Sequence, residues 1–271
     1  MKIELICKDY QTTVSSLLAY FECTENELFD FLSEDWDSGY LNYYNKLYNK
    51  NIDDICDFET YFYRQCRKRF KPIPKKVVVH WFHGTKTLDT KLIIQKGIRP
   101  LHQMTGYLSN IIDNIAQEMG VKPTDHKTHK MEHYKFLIDT KTNNPPDQGP
   151  CAFLILDALI HPKIFHVNEY SRLPEYIRDY ANYTYDENAN KLLLEYQKIT
   201  KAIAVEFIEP SSSKHSCGKE FCIGVALCYI YDILKGAYQT GDMNLACSAA
   251  YSNYGNTIRP RSIVQIHDLG T

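Results

Sequence analysis

The stretch that decides the fold is VVVHWFHGTKTLDTKLIIQKGIRPL, residues 77–101. It begins with β-branched and aromatic residues, which favour a strand, and continues as an amphipathic segment that stops at Gly97. Because side chains alternate along a strand, His80 and His83 are predicted on opposite faces of the sheet. We therefore predict a strand that ends at His83, followed by a turn and a helix of about ten residues.

The turn His83-Gly84-Thr85 has the residue types of a ligand-binding segment. A glycine lets a ligand approach bare backbone, and Thr85 adds a hydroxyl group and is expected to help start the following helix. The structural alternative is a histidine satisfied by a backbone carbonyl next to an ordinary turn. For an isolated His-Gly pair, this structural interpretation is favoured.

Composition restricts the class of protein. The chain has 271 residues with 44% hydrophobic content, which is typical of a globular protein with a substantial core. Its 31 basic and 33 acidic residues nearly cancel, so no overall field favours nucleic acid or an anionic membrane. We expect no secretion signal and no membrane span, and the odd number of cysteines favours buried thiols in a reducing cytoplasm.

The order of predicted elements indicates a helical region followed by an α+β domain. Residues 1–72 are predicted to be helical, with a capping box formed by Thr24 and Glu27. Residues 73–271 mix helices with the predicted strands CAFLILDALI, KAIAVEFIE and TIRPRSIVQIHDL. Between them, RQCRKRFKPIPKK is interpreted as a solvated linker or, alternatively, as a rim that attracts a phosphate-bearing ligand.

Two other arrangements of reactive side chains have weaker support. His126, His129 and His133 have the spacing to share a helical face and bind zinc, but the polar segment favours a solvated surface. Cys217 beside His215 is conceivable as a nucleophile, because the start of a predicted helix would lower its pKa. No family signature surrounds either residue, and the chain has no phosphate-binding GxxxxGK[ST] or GxGxxG motif.

The segment FHGTKTLDTKLIIQKGIRP, residues 82–100, resembles the first motif of ADP-ribosyltransferases of the histidine type. This class includes diphtheria toxin and the poly(ADP-ribose) polymerases. There an aromatic or apolar strand leads into His-Gly-(Thr/Ser), and the following helix ends in Gly-(Leu/Ile). For residues 73–271 the resemblance implies a split β-sheet core that takes NAD as its substrate, with no metal expected.

The resemblance also implies roles for the residues of the first motif. The side chain of His83 would bind the adenosine ribose of NAD, and the backbone of Gly84 would hold the nicotinamide carboxamide. Thr85 belongs to the same binding segment.

The later motifs of the family have less certain counterparts. The tyrosine that stacks on nicotinamide is best matched by Tyr170, followed by Ser171, with Tyr180 as the fallback. The catalytic glutamate near the nicotinamide ribose is matched by Glu206 or by Glu220.

The last predicted strand offers Gln265 where a glutamate would be expected, which puts polymer formation in particular in doubt. The implied function is transfer of ADP-ribose from NAD to a macromolecular acceptor, with release of nicotinamide. Near-neutral charge makes a protein acceptor more natural than a nucleic acid. The alternatives are an inactive NAD- or ADP-ribose-binding module, an NAD glycohydrolase, an NAD-dependent RNA 2′-phosphotransferase, or an interaction protein whose His-Gly turn is structural.

Overall fold

The structure of the protein is a computed structural model. It describes residues 2–50, 55–125, 129–144, 149–167, 172–210, 212, 217–243, 250–253 and 255–270. The α-helices are α1 Tyr10–Phe21, α2 Glu25–Leu32, α3 Trp36–Tyr48, α4 Phe58–Phe70, α5 Lys91–Lys96, α6 Leu101–Glu118, α7 His129–Asn143, α8 Asp157–Ile160, α9 Glu175–Tyr185, α10 Ala189–Ile199, α11 Lys219–Leu234 and α12 Ala237–Thr240. The strands are β1 Lys2–Leu5, β2 Lys76–Thr87, β3 Cys151–Phe153, β4 Lys201–Pro210, β5 Ala250–Ser252 and β6 Ile263–Asp268. The predicted α+β class is confirmed.

The chain divides into two compact units, each built from separate stretches of sequence. The first unit comprises Met1–Trp81, Phe153–Asn168 and Ile208–Ala250. The second unit comprises Phe82–Ala152, Glu169–Phe207 and Tyr251–Thr271. The division into residues 1–72 and 73–271 remains a prediction.

The first unit packs helices around a short parallel strand pair. β1 pairs with the first half of β2, and Leu5 lies opposite Val79. Helix α11 packs closely on α4, since a Cβ atom on Gly224 would lie 2.1 Å from the carbonyl oxygen of Glu59. Only a glycine permits this approach of the two helices. Thr24 caps α2 with the predicted capping box, because its backbone N–H also donates to the Glu27 carboxylate at 2.8 Å.

The second unit combines the larger part of the sheet with a helical bundle. Strand order is β5-β3-β2-β4-β6, and β4 pairs with β6 in antiparallel orientation. Helices α6, α9 and α10 enclose an apolar core that includes Ile112, Ile177 and Leu192. Burial of such side chains is the main stabilising contribution to this bundle.

Strand β2 does not end at the predicted turn. It continues through His83 to Thr87, and the helix that follows is only Lys91–Lys96, so the predicted strand end and the ten-residue helix are wrong. β2 lies between β3 and β4 in the sheet, and backbone pairing with neighbouring strands keeps a chain extended. Lys86 within this extension is buried, and its Nζ donates to the carbonyl oxygens of Gln197 at 3.0 Å and Thr200 at 3.2 Å, which satisfies the end of α10.

Two further expectations are corrected in part. CAFLILDALI is a strand only over Cys151–Phe153 and forms helix α8 from Asp157. Cys222 and Cys228 are buried as expected, whereas Cys151 is exposed. Across the described ranges, no helix has both the length and the apolar character needed to cross a bilayer.

Candidate functional site

His83 lies inside β2, where the hydrogen bond of its ring fixes its orientation. The ring nitrogen Nδ1 lies 2.6 Å from the carbonyl oxygen of Cys151, and the residue is half-buried. A backbone carbonyl is the partner that the structural interpretation of His83 predicted. A carbonyl oxygen can only accept, so Nδ1 carries the proton and donates it. In the neutral ring, Nε2 is then the atom with a lone pair that can accept a hydrogen bond from a ligand.

The surroundings of His83 favour this neutral form. Burial of the ring lowers the pKa of His83 below the ordinary value of 6.5, and the hydrogen bond to the Cys151 carbonyl offsets part of that effect. The imidazole is therefore neutral at pH 7. It can accept a hydrogen bond from a hydroxyl group at Nε2 without losing its own donor contact.

Gly84 and Thr85 continue the strand beside this histidine. Both are half-buried, so the segment 83–85 has partial access to solvent within a strand that is otherwise largely buried. We call residues 83–85 the His83 segment. It provides an acceptor nitrogen, a hydroxyl group and a backbone that carries no side chain at Gly84, which is a combination suited to a polar, hydroxyl-rich ligand.

Glu206 lies elsewhere in the second unit, in a buried pair with His267. The Glu206 side chain is 0% exposed, and its Oε2 lies 2.7 Å from Nε2 of His267, whose side chain is 16% exposed. The pair spans β4 and β6 diagonally, because Ala204 is the partner of His267 and Gln265 is the partner of Glu206. A buried carboxylate needs such a partner, since an uncompensated buried charge is costly.

The structure does not bring Glu206 to the His83 ring. The ring of His267 lies edge-on to Phe82, with ring centroids 6.0 Å apart. Phe82 and His83 are adjacent in β2 and therefore point to opposite faces of the sheet. The Glu206 carboxylate thus lies on the Phe82 face, away from the face that carries His83.

The other predicted catalytic candidates lie on three different elements, β6, α11 and α9. Gln265 shares a sheet face with Glu206, because the two are paired across β4 and β6. Glu220 belongs to the first unit, where its Oε2 lies 3.6 Å from Nε of Arg64. The Tyr180 hydroxyl donates to Asp113 at 3.0 Å, and burial raises the pKa of Tyr180 to about 12.

Several predicted residues lie outside the described part of the chain. Tyr170 and Ser171 are among them, so the second motif remains a prediction. His126 and His215 are also outside, while His129 and His133 are exposed on α7 and Cys217 is exposed before α11.

The described residues give no support to the zinc or thiol alternatives. None of the His, Cys, Asp and Glu side chains within the described ranges form a group of three that could hold a metal ion. Desolvation of the sulfur raises the pKa of Cys217, which is the opposite of the shift that an activated thiol requires.

Sequence reasoning missed two partners that define these sites. The carbonyl of Cys151 holds the His83 ring, and His267 pairs with Glu206. The first is a backbone group and leaves no signal in the residue types. The second had one signal, the alternation of IVQIHD, which places Gln265 and His267 on the same face of a strand.

No model of a known protein family, no curated protein and no solved structure matches the chain. The resemblance to histidine-type ADP-ribosyltransferases therefore rests on residues 82–100 alone.

Proposed function

We infer that the protein binds NAD at the His83 segment, in the manner of the histidine-type ADP-ribosyltransferases. The observation that carries this proposal is the half-buried ring of His83, whose Nδ1 is held by the Cys151 carbonyl so that Nε2 is the ring nitrogen left to accept from a ligand. Its Nε2 would accept a hydrogen bond from a ribose hydroxyl of NAD. The backbone of Gly84 would bind the nicotinamide carboxamide, and Thr85 would add a polar contact.

Turnover of NAD requires more than this segment. Cleaving the bond between nicotinamide and ribose builds positive charge at the ribose carbon, which an enzyme stabilises with a carboxylate or a similar group. In the full enzymatic form of the proposal, Tyr170 would stack on the nicotinamide and a carboxylate would orient the acceptor. The acceptor would be a macromolecule for ADP-ribosylation or water for hydrolysis.

A second candidate function is binding of NAD or ADP-ribose without turnover. The position of Glu206 favours it, because this carboxylate is fully buried, paired with His267 and on the Phe82 face. Gln265 cannot replace a carboxylate, since its amide carries no charge. A split β-sheet core of the transferase type remains part of the proposal.

Calorimetric titration with NAD, combined with chromatographic detection of released nicotinamide, tests both functions. The variants are His83→Ala and, as a matched control, His102→Ala, which removes an exposed imidazole from α6 in the same unit. We expect the wild type and the control to bind NAD alike and His83→Ala to bind about tenfold more weakly, the loss of roughly one hydrogen bond.

The nicotinamide signal then separates the two functions. Release of nicotinamide that depends on His83 supports an enzyme, and binding without release supports the module. If the wild type does not bind NAD, or if His83→Ala binds it as well as the control does, the proposal is wrong.

A further inference from the structure

A basic surface in the first unit lies along the exposed face of α4 and the segment that follows it. The residues from Arg64 to Lys76 include no acidic side chain, and arginine and lysine make up more than half of them. The exposed members are Arg64, Arg67, Lys68, Arg69, Lys71 and Lys76. We call this set the α4 patch.

The α4 patch faces away from the packed side of its helix. Tyr61, Phe62 and Cys66 are buried on the side of α4 that packs against α11. Arg64 and Lys68 are four residues apart and share one face of the helix, and Lys71 follows as its C-cap residue. The apolar face of α4 is therefore satisfied inside the unit, and the charged face is presented outward.

Only part of this charge is neutralised within the protein. Arg64 and Arg67 approach Glu220 at 3.6 and 4.0 Å, which is long for an exposed ion pair. Lys68 and Lys71 form no ion pair with any residue that the structure describes. Strong positive charge remains, although the whole chain carries a formal net charge of −2.

A shallow, open groove of about 600 Å³ adjoins the α4 patch at Lys76. It is lined by Lys2, Pro74, Lys75 and Lys76. The ammonium of Lys75 is engaged inside the unit, where it donates to the carbonyl oxygens at the end of α1 and lies 2.8 Å from Glu22. Lys76 is exposed and presents its charge at the groove, whereas the exposed Lys2 lies 3.3 Å from the Glu4 carboxylate.

The chemistry of the α4 patch fits a nucleic acid better than a membrane. A helix that lies on a membrane surface inserts its apolar face into the lipid, and that face of α4 is buried against α11. Ile73 is the large apolar side chain exposed among these residues, at 66%. Guanidinium and ammonium groups bind phosphate oxygens, and a nucleic acid carries one negative charge on each phosphodiester along its backbone. Several basic side chains near one another can therefore contact successive phosphodiesters.

We propose that the α4 patch and its groove bind the phosphodiester backbone of a nucleic acid. This binding is electrostatic and depends on charge more than on base sequence. The α4 patch shares no residue with the His83 segment, since the patch belongs to the first unit and the segment to the second.

The test is fluorescence anisotropy of the full chain with a labelled single-stranded RNA and with DNA of the same sequence, over a range of salt concentrations. The patch variant is Lys68→Gln/Lys71→Gln/Lys76→Gln. The matched control is Lys91→Gln/Lys135→Gln/Lys191→Gln, which removes equal charge from exposed positions of the second unit. Vesicles with anionic lipid and the acidic polypeptide polyglutamate serve as competing ligands.

We expect the wild type and the control to bind the oligonucleotides alike. The patch variant should bind about tenfold more weakly, and its slope of log affinity against log salt should fall by about 2 for single strands. NAD binding should be the same in all three proteins, so a failure here is distinct from a failure at His83. The relative affinity for RNA and DNA then identifies the preferred backbone.

Three results would overturn the proposal. The first is a wild type that binds neither oligonucleotide, and the second is a patch variant that binds as tightly as the control. The third is loss of oligonucleotide binding when anionic vesicles or polyglutamate are added at the same concentration of negative charge as the oligonucleotide. The surface would then prefer a membrane or an acidic protein.

Discussion

His83 and His267 belong to the same compact unit, yet the protein holds their rings in different ways. A backbone carbonyl accepts from His83 at 2.6 Å, whereas the carboxylate of a fully buried glutamate lies 2.7 Å from His267. The carbonyl fixes the orientation of the His83 ring and carries no formal charge. The Glu206 carboxylate depends on His267, because burial of a charge without a partner is costly.

The difference separates a histidine that can bind a ligand from one that stabilises the fold. His83 keeps its Nε2 as an acceptor in a half-buried segment beside a glycine. His267 uses its Nε2 for Glu206 and packs edge-on to Phe82. Loss of either partner of the His267 pair should therefore change stability, and loss of His83 should change ligand binding.

The largest expected effect is a loss of protein stability when the Glu206–His267 pair is removed. Replacing Glu206 with alanine removes the hydrogen bond to His267 and leaves a cavity in a fully buried position. We expect the free energy of unfolding to fall by about 3 kcal/mol. Chemical denaturation measures this loss, with Glu118→Ala at an exposed position of α6 as the control. A loss as small as that of the control would contradict a structural role for the pair.

The next effect concerns NAD affinity at His83. His83→Ala should weaken NAD binding about tenfold, equivalent to about 1.4 kcal/mol, because one hydrogen-bond acceptor is lost. The stability of the same variant should fall by about 1 kcal/mol or less, since the ring makes one bond to a carbonyl. Titration calorimetry and denaturation measure the two quantities. An unchanged affinity with a large loss of stability would make His83 a structural residue.

Lys86 tests whether NAD binding depends on His83 itself or on the strand as a whole. Lys86→Met removes the donor to the carbonyl oxygens of Gln197 and Thr200 but keeps most of the side-chain volume. We expect a loss of about 1 kcal/mol in unfolding free energy and no change in NAD affinity. If affinity falls as much as in His83→Ala, the general stability of β2 would explain both results.

The smallest effect is the pH dependence of stability due to His83. The unfolded chain takes up a proton at a higher pH than the folded chain, because the pKa of His83 is lowered in the fold. Its contribution to stability is therefore fully present above about pH 6.5 and is lost as the pH falls toward the folded pKa. His83→Gln should flatten the curve of unfolding free energy against pH below that value. An identical curve for the variant and the wild type would show that folding does not lower the pKa of His83 enough to affect stability.

Local sequence signals predicted much of the fold. The capping box of Thr24 and Glu27 acts within a few residues, and helix α2 is present where it predicts one. The strand end at His83 was wrong because His83-Gly84-Thr85 was interpreted as a turn, whereas β2 continues to Thr87. The burial of Lys86 in this extension depends on the end of α10, which is more than a hundred residues away.

The candidate site was predictable only as a set of residue types. His83, Gly84 and Thr85 could be named from sequence, but the partner of the His83 ring is a backbone carbonyl at Cys151. The position of Glu206 relative to His83 follows from the register of β4 and β6 and from the alternation of β2. Such pairings join strands that are far apart in the sequence and are set by tertiary packing. The spacing of residues within the sequence therefore does not predict them.

The most direct measurement is a nitrogen-15 NMR spectrum of the histidine side chains during titration with NAD. The ring nitrogens report the tautomer and the hydrogen bonds of each imidazole. We predict that Nε2 of His83 shifts in proportion to NAD bound, while the resonances of His267 stay in place. An unchanged His83 at saturating NAD, or an equal shift at His267, would contradict the assignment of NAD to the His83 segment.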